Sequence, residues 1–282
     1  MKEHSDQHWQ SRIRELEEKL EQSAEQLTLL SAKLLQAESQ RSNFLSHILN
    51  EINNPLTSIL GLTNNIRHMA YSNPEQVHRQ ANLAYEQAFE LDYKMRNVFA
   101  AAAIEAGVVT VQRRKLEVSD ILDQVIQDLY FKYNQKNINI QVTRKIAEGQ
   151  LFSTDPVLFQ AILLNLVGNA IEFSPEGEEI KIDLHVDKPG IVFTISDHGA
   201  GISPKDQTTI FSRFKQLDEG VTKAHQGTGL GLSIVQEYTE LLSGSLDLIS
   251  ELGMGSTFVI NLPTVEFPEA FEEVSLGDEE IF

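Results

Sequence analysis

The sequence predicts two architectures in succession, a helical N-terminal part and then an α/β domain. Between residues 13 and 44, apolar residues recur at heptad spacing, and no Gly or Pro interrupts them. From residue 107 onward, short alternating segments typical of strands are interspersed with longer apolar segments typical of helices. We therefore expect a coiled coil and a helical hairpin, which form a dimeric four-helix bundle when two chains pair, followed by an α/β sandwich.

Residues 1–40 are interpreted as a coiled-coil signalling helix that continues into the hairpin. The seam comprises Ile13, Leu20, Leu27 and Leu34 at one heptad position, and Leu16, Leu30, Ala37 and Phe44 at the other. Pairing with a second chain would bury these residues, so a homodimer is expected. Ser23 and Arg41 also lie in the seam, and a single amphipathic helix packed on its own domain stays open as the alternative.

Residues 41–106 have the pattern of two antiparallel helices. The first helix contains the segment FLSHILNEINNPLTSILG, residues 44–61. The sequence Ser72-Asn73-Pro74 predicts a turn, and a second helix is expected from about Glu75 to Glu105, where Gly107 ends it.

Residues 107–263 are expected to form the α/β domain. Strands are predicted at 108–116, 138–146, 179–186, 191–197, 245–250 and 256–263, and helices from Ser119 to about Tyr133, at 155–173 and at 230–242. The remaining residues, 264–282, are expected to be an acidic flexible tail, because from residue 263 the chain has seven acidic and no basic residues. Docking of this tail through its apolar residues is the alternative.

Composition excludes several classes of function. A net charge of −18 argues against a nucleic-acid surface and against direct contact with an anionic membrane. The chain has no cysteine, which excludes disulfides and Cys-based zinc sites. No apolar run approaches the roughly 18 residues that span a bilayer, so we expect a cytoplasmic chain. It could equally be the cytoplasmic part of a larger sensor protein.

Four short motifs follow one another in the second domain, and each alone is weak. They are NLVGNAIEF with Asn165 and Asn169, DHGAGI with Asp197, Gly199 and Gly201, IFSRF with Phe211 and Phe214, and GTGLGLSI with Gly227, Thr228, Gly229, Leu230 and Gly231. Their order and approximate spacing resemble the ATP-binding domain that histidine kinases share with related ATPases. ATP and Mg²⁺ are the cofactors that this resemblance implies.

The resemblance also implies a role for each motif. Asn169 would offer its carbonyl oxygen to Mg²⁺, and Asp197 would accept the adenine amino group. The glycines near residue 229 would place backbone N–H groups against the phosphates at a helix N-terminus, and the phenylalanines would lie beside a lid. In this domain one position departs from the family, because Glu172 stands where many members have a Lys that reaches a phosphate. An acid there would weaken phosphate binding if it pointed inward.

The segment around Asn50 resembles the phosphoacceptor helix of a sensor histidine kinase, with Asn50 in place of the acceptor histidine. Glu51, Asn54 and Pro55 match the rest of that motif. An amide nitrogen has its lone pair delocalised into the carbonyl and is not a nucleophile, so we expect no phosphorylation at Asn50. His47 lies about 60° away around an α-helix and lacks an adjacent acid, which makes it a poor substitute.

Taken with the nucleotide motifs, this segment predicts the core of a dimeric sensor histidine kinase that is deficient in autophosphorylation. Its expected partner is the receiver domain of a response regulator. Asn54 occupies the position that the family associates with dephosphorylating that regulator, although a polar residue before Pro55 would also fit a helix kink. A natural pseudokinase or scaffold and a non-kinase ATPase of the same superfamily are the alternatives. Asn is one nucleotide from His, so the sequence does not separate a natural change from an engineered one.

Overall fold

The structure is a computed structural model that describes residues 19, 22, 26–32, 46, 48–68, 73–187, 190–213 and 229–263. The chain divides into two compact units, residues 1–54 and 55–282. In the first unit, residues 26–32 and 48–54 are helical, and the side chains of Leu27 and Leu30 are exposed. Most of the predicted coiled-coil seam and the whole acidic tail lie outside the described residues.

Two long helices precede the sheet. Residues 48–68 are helical (α1), and α2 runs over Pro74–Glu105. The predicted turn residue Asn73 caps α2, because its side chain accepts a hydrogen bond of 3.2 Å from the backbone N–H of Gln76. Gly107, which was predicted to end the helix, has a left-handed backbone with φ +64°.

The α/β domain follows the predicted order closely. Its strands are β1 (Arg114–Leu116), β2 (Asn139–Lys145), β3 (Phe152–Thr154), β4 (Glu179–Asp187), β5 (Gly190–Ser196), β6 (Ser245–Glu251) and β7 (Gly255–Pro263). Its helices are α3 (Val118–Asp128), α4 (Tyr130–Gln135), α5 (Pro156–Phe173), α6 (Pro204–Gln207) and α7 (Gly231–Leu241). Strands β2-β4-β5-β7-β6 form one sheet in that order, with β2 parallel to β4 and the other pairs antiparallel. β1 and β3 form a separate antiparallel pair.

The core lies between the large sheet and a layer of helices. Alternate residues of β4, among them Ile180, Ile182 and Leu184, are fully buried, as the predicted alternation requires. The rings of Phe159 in α5 and Phe193 in β5 are 4.8 Å apart at their centroids, which joins the two layers.

Helix α5 corrects the expectation that no segment could span a bilayer. It has 18 residues with a mean hydropathy of 1.4, which by length and composition is enough. However, 56% of this segment is buried within the domain. Burial in a core accounts for its apolar composition.

The bounds of two predicted elements, the first strand and the helix after it, were wrong for reasons of tertiary structure. The strand predicted at 108–116 is reduced to β1, because the backbone N–H of Gln112 donates to the Asp155 carboxylate at 2.6 Å instead of to a neighbouring strand. The helix predicted to begin with a Ser119 cap begins at Val118, which is fully buried, and no side chain caps it. The same helix was predicted as continuous to about Tyr133, but it is interrupted at Leu129.

Candidate functional site

Helix α5 is the element that links the predicted site residues. Asn165, Asn169 and Phe173 lie on successive turns of this helix, so they follow one another along one side. The first and last of them each touch a glycine of a different predicted motif. Eight residues at 1.5 Å each separate these two contacts by about 12 Å along the helix axis.

The Asp197 loop adjoins the C-terminal end of α5. A Cβ atom added to Gly199 would lie 2.7 Å from the backbone oxygen of Phe173, so the loop comes this close only because residue 199 is glycine. Gly199 is buried, and its N–H donates to the Asp197 carboxylate at 2.8 Å. The N–H of Ser256 donates to the same oxygen, Oδ1, at 3.2 Å. Neither bond uses Oδ2.

The carboxyl group of Asp197 is in an environment that disfavours its charge. Burial raises its pKa above the ordinary value, while the two backbone donors and His198 act in the opposite direction. The net shift is upward, so desolvation outweighs the hydrogen bonds.

The hairpin of β6 and β7 holds the same loop from the other side. Gly201 has φ +68°, and a Cβ atom there would lie 1.9 Å from the oxygen of Glu251. Gly255 has φ +91° and would clash in the same way with the oxygen of Asp197, at 2.0 Å. The N–H of Ile202 donates to the Ser250 hydroxyl at 2.8 Å. Both positions therefore require glycine, and the loop has little room to move.

The glycine-rich turn before α7 adjoins α5 at Asn165, about two turns before the C-terminal end of that helix. Gly229 has φ +65°, Leu230 is fully buried, and Gly231 begins the helix. A Cβ atom on Gly231 would lie 2.7 Å from Oδ1 of Asn165. The N-terminal turn of α7 thus packs directly against the Asn165 side chain.

Asn165 and Asn169 differ sharply in how their amides are used. Asn165 is fully buried; its Oδ1 accepts from Tyr93 at 2.8 Å and from Asn97 at 2.9 Å, and its Nδ2 donates to Asn97 at 3.1 Å and to the oxygen of Ala161 at 2.8 Å. These bonds satisfy both lone pairs and both hydrogens of the amide. In this arrangement the predicted binding residue Asn165 has no hydrogen-bonding capacity left for a nucleotide.

Asn169 is half-buried, and within the described residues no hydrogen bond engages its side-chain amide. It lies one turn after Asn165 and one turn before the contact of Phe173 with Gly199. Its carbonyl oxygen is therefore available midway between the two glycine contacts.

The structure describes residues 210–213 of the aromatic motif IFSRF, and the expected lid between Phe214 and Gly227 lies outside the described residues. Phe211 is half-buried, and Arg213 forms an ion pair of 3.1 Å with Glu237 of α7. Phe214, Gly227 and Thr228 lie outside the described residues, as do the lid positions between them. Their predicted contacts stay predictions.

Glu172 was predicted to weaken phosphate binding if it points inward. Its charge contributes to raising the pKa of Tyr93 and opposes the lowering of the pKa of Lys136. Glu172 therefore lies close to these two side chains, and its effect on a phosphate stays a prediction.

Tyr93 and Asn97 of α2 were not among the predicted site residues. They lie four residues apart, and Asn97 and Ala101 are the buried residues of this long helix. Apart from the i, i+4 spacing that these positions share, the sequence gives no sign of their role, since their partner Asn165 is 72 and 68 residues away.

The residues of the motif that resembles a phosphoacceptor site lie together on α1, within the first unit. Asn50 and Asn54 are exposed, and Glu51 is half-buried. Because they are four residues apart, Asn50 and Asn54 project from the same side of the helix. His47 lies outside the described residues.

Among the described residues, no group of three or more His, Cys, Asp or Glu side chains could hold a metal ion. A magnesium ion bound mainly through nucleotide phosphates needs few protein ligands, and the Asn169 carbonyl oxygen is a donor of the kind that this ion prefers. The residues present fit that mode of binding.

Known proteins resemble this chain in sequence and in fold. Residues 154–266 match the family described as "Histidine kinase-, DNA gyrase B-, and HSP90-like ATPase". Sensor protein SrrB of Staphylococcus aureus is 27% identical over 231 residues, which are 81% of this chain and 39% of SrrB. The chain thus spans about two fifths of the length of this relative. The chain is therefore similar to a sensor protein, and residues 154–266 are similar to the histidine kinase-like ATPases.

Solved structures share the fold of this chain. Acinetobacter baumannii histidine kinase AdeS aligns with a TM-score of 0.53 and 19% identity, over 77% of this chain and 98% of AdeS. Full-length ShkA in complex with AMPPNP aligns with a TM-score of 0.56 and 23% identity, over 79% of this chain and 46% of ShkA. A helical part followed by an α/β domain is therefore the architecture of the chain, as the sequence predicted.

Proposed function

We propose that this chain is the core of a sensor histidine kinase that binds Mg²⁺-ATP and lacks autophosphorylation because Asn50 replaces the acceptor. One observation carries the proposal: α5 adjoins the Asp197 loop at one end and the Gly231 turn two turns away. Asn169 lies between them, and its side-chain amide makes no hydrogen bond to the described residues. The separation of about 12 Å suits a nucleotide that lies along the helix, with adenine at Asp197 and phosphates at Gly231.

Each end of this site has groups that fit its part of the nucleotide. At Asp197, Oδ2 would accept a hydrogen from the adenine amino group, while Oδ1 stays bonded to the loop. At the start of α7, backbone N–H groups without partners in their own helix would face the phosphates. Asn169 would hold Mg²⁺, which when bound neutralises phosphate charge. The complex of the similarly folded ShkA with AMPPNP supports a nucleotide as the ligand.

Transfer to residue 50 should fail for a chemical reason. In an active relative, a neutral imidazole nitrogen would attack the γ-phosphorus and ADP would leave, with Glu51 orienting the ring. Asn50 has no such lone pair, although its exposure on α1 would make the position accessible.

The experiment compares the chain with its Asn50→His variant after incubation with ATP labelled in the γ-phosphate and Mg²⁺. We expect no label on the unchanged chain and label at position 50 of the variant, located by mass spectrometry. Label on His47 of the unchanged chain would contradict the proposal. Failure of either protein to bind ATP at millimolar concentration would favour a scaffold without nucleotide function.

The exposure of Asn54 favours a second activity, removal of phosphate from a response regulator. Asn54 lies one turn after Asn50 on the same side of α1, where a docked receiver domain could place its phosphoaspartate and an attacking water. Such a reaction needs no phosphohistidine. The test measures dephosphorylation of a phosphorylated receiver domain by the chain and by Asn54→Ala; equal rates would remove Asn54 from the mechanism.

The remaining assignments follow from this function. We propose a homodimer formed through the coiled coil and the hairpin, with a receiver domain as the partner in signalling, and a cytoplasmic location where ATP is available. The relation to SrrB, a sensor protein, supports the signalling role.

A further inference from the structure

A stripe on α2 packs against the nucleotide-binding domain through both apolar and polar contacts. Phe89 meets Phe131 of α4 edge to face, with ring centroids 5.3 Å apart. Next to it, Glu90 pairs with Lys132 at 2.5 Å. One and two turns further on, Tyr93 and Asn97 reach Asn165 of α5. We refer to Tyr93, Asn97 and Asn165 as the clasp.

The clasp fixes the Asn165 side chain in one orientation. Asn97 exchanges two hydrogen bonds with it, and Tyr93 and the Ala161 oxygen take the remaining positions. A flipped amide would set donor against donor at the bonds from Tyr93 and Asn97, and acceptor against acceptor at the bonds to Asn97 and Ala161. Burial raises the pKa of Tyr93 far above its usual range, with contributions from Glu172 and Glu90, so its hydroxyl stays protonated and remains a donor to Oδ1.

The oxygen that the clasp orients is the atom on which the predicted phosphate turn rests. Oδ1 of Asn165 lies 2.7 Å from the position where Gly231 would have a Cβ, which is closer than any side-chain atom could tolerate. The first residue of α7 therefore packs against an oxygen that cannot rotate away. The N–H groups of this first turn are the ones proposed to face the phosphates.

We propose that Tyr93 and Asn97 are positioning residues for the phosphates of the nucleotide, acting through Asn165 on the N-terminal turn of α7. Two helices thus separate the hairpin side chains from the ligand, and neither residue touches it. The inference rests on the proposed nucleotide function. It assigns to the helical hairpin a part in binding ATP, with the adenine end of the site outside its reach.

The adenine end provides the internal control. Asp197 and its loop are held by the β6–β7 hairpin and by the C-terminal end of α5, not by the clasp. A change in the clasp should therefore alter the binding of phosphates and leave the binding of adenosine as it is. A general loss of structure would weaken the binding of both ligands.

The test measures the affinities of the full chain for Mg²⁺-ATP and for adenosine by titration calorimetry or by competition with a fluorescent nucleotide. The variants are Tyr93→Phe, which deletes one hydroxyl, and Asn97→Ala, which removes two of the four hydrogen bonds of Asn165 and leaves those with Tyr93 and Ala161. Tyr85→Phe is the matched control, since Tyr85 lies on the same helix and is 68% exposed. Far-UV circular dichroism verifies that each variant is folded.

We expect Tyr93→Phe to weaken Mg²⁺-ATP binding about three- to tenfold, the effect of one buried hydrogen bond, with adenosine and the Tyr85→Phe control unchanged. Asn97→Ala should weaken Mg²⁺-ATP binding further. If that variant does not fold, the result for Tyr93→Phe alone tests the inference. Unchanged ATP affinity in Tyr93→Phe, equal loss for both ligands, or tighter ATP binding would each overturn the inference. If the unchanged chain binds no ATP, the proposed function itself fails.

Discussion

At the scale of single residues, Asp197 lies where ionisation of its carboxyl group costs free energy. Its pKa is raised, chiefly by burial. Because the folded-state pKa exceeds the unfolded one, the folded state binds more protons. The contribution of this group to stability is therefore present below the unfolded pKa and is lost as the pH rises through the folded pKa. Above that pH the carboxylate carries a buried charge that destabilises the folded state.

Replacing this carboxylate by an amide should separate stability from binding. In Asp197→Asn the amide oxygen can still accept from Gly199 and Ser256, and the buried charge is gone, so we expect the melting temperature to rise by a few degrees. The amide nitrogen would present a donor to the adenine amino group, so affinity for both ATP and adenosine should be lost. Differential scanning calorimetry and ligand titration measure the two effects.

The control for this prediction is Asp247→Asn, which makes the same change in net charge at an exposed position of β6. It should alter neither quantity. The affinity of the unchanged chain for ATP should fall as the pH is lowered through the raised pKa of Asp197, because protonation removes the acceptor. A lower melting temperature in Asp197→Asn would show that the carboxylate stabilises the folded state after all.

At the scale of elements, the side chain of Lys136 forms hydrogen bonds with the C-terminal end of α5. Nζ of Lys136, the residue after α4, donates to the oxygens of Ile171, Glu172 and Ser174 at 2.9, 2.6 and 3.1 Å. A cation there satisfies helix carbonyls that lack partners and interacts favourably with the helix dipole. The carbonyl oxygen of Phe173, which lies between Glu172 and Ser174 in the sequence, is the one in close contact with Gly199.

Removing this cation should loosen both the helix end and the loop beside it. We expect Lys136→Met to destabilise the fold by about 1–2 kcal/mol, since hydrogen bonds from a charged donor are lost but the carbonyls can reach water. Adenosine affinity should also fall. Lys181→Met is the control, because Lys181 is exposed and its ion pair among the described residues is with Glu179 on the same strand, at 3.2 Å. Equal melting temperatures for the two variants would contradict the proposed role of Lys136.

The elements themselves were largely predictable, because their signals are local. Alternation predicted β4 and β5, and Asn73 and Gly107 marked the ends of α2. Interactions distant in the sequence were not predictable: Asp155 takes Gln112 out of the expected first strand, and Asn165 is saturated by Tyr93 and Asn97 from a helix some 70 residues earlier. A sequence motif identifies Asn165 as a candidate site residue, whereas only the fold determines which groups form hydrogen bonds with its amide.

At the scale of the whole molecule, exposed leucines on α1 indicate where a second chain would bind. Leu56 and Leu60 are 42% and 62% exposed and lie one turn apart, so they form part of one apolar side of the helix. Neighbouring apolar side chains on one helix side are typical of an interface with another helix. They agree with the homodimer that the heptad seam predicts.

Polar substitution of these leucines should therefore change the mass of the assembly. Light scattering of the unchanged chain should give twice the 31.7 kDa of one chain, and Leu56→Gln combined with Leu60→Gln should shift the population toward monomer at micromolar concentration. The matched control is Leu252→Gln with Met254→Gln, at the β6–β7 turn, where both side chains are at least as exposed, at 68% and 72%. If the control pair also produced monomers, or if the α1 pair left the dimer intact, this side of α1 would not be the interface. Because the clasp lies within one chain, ATP affinity should survive in the monomer, so that assembly and nucleotide binding can be measured independently.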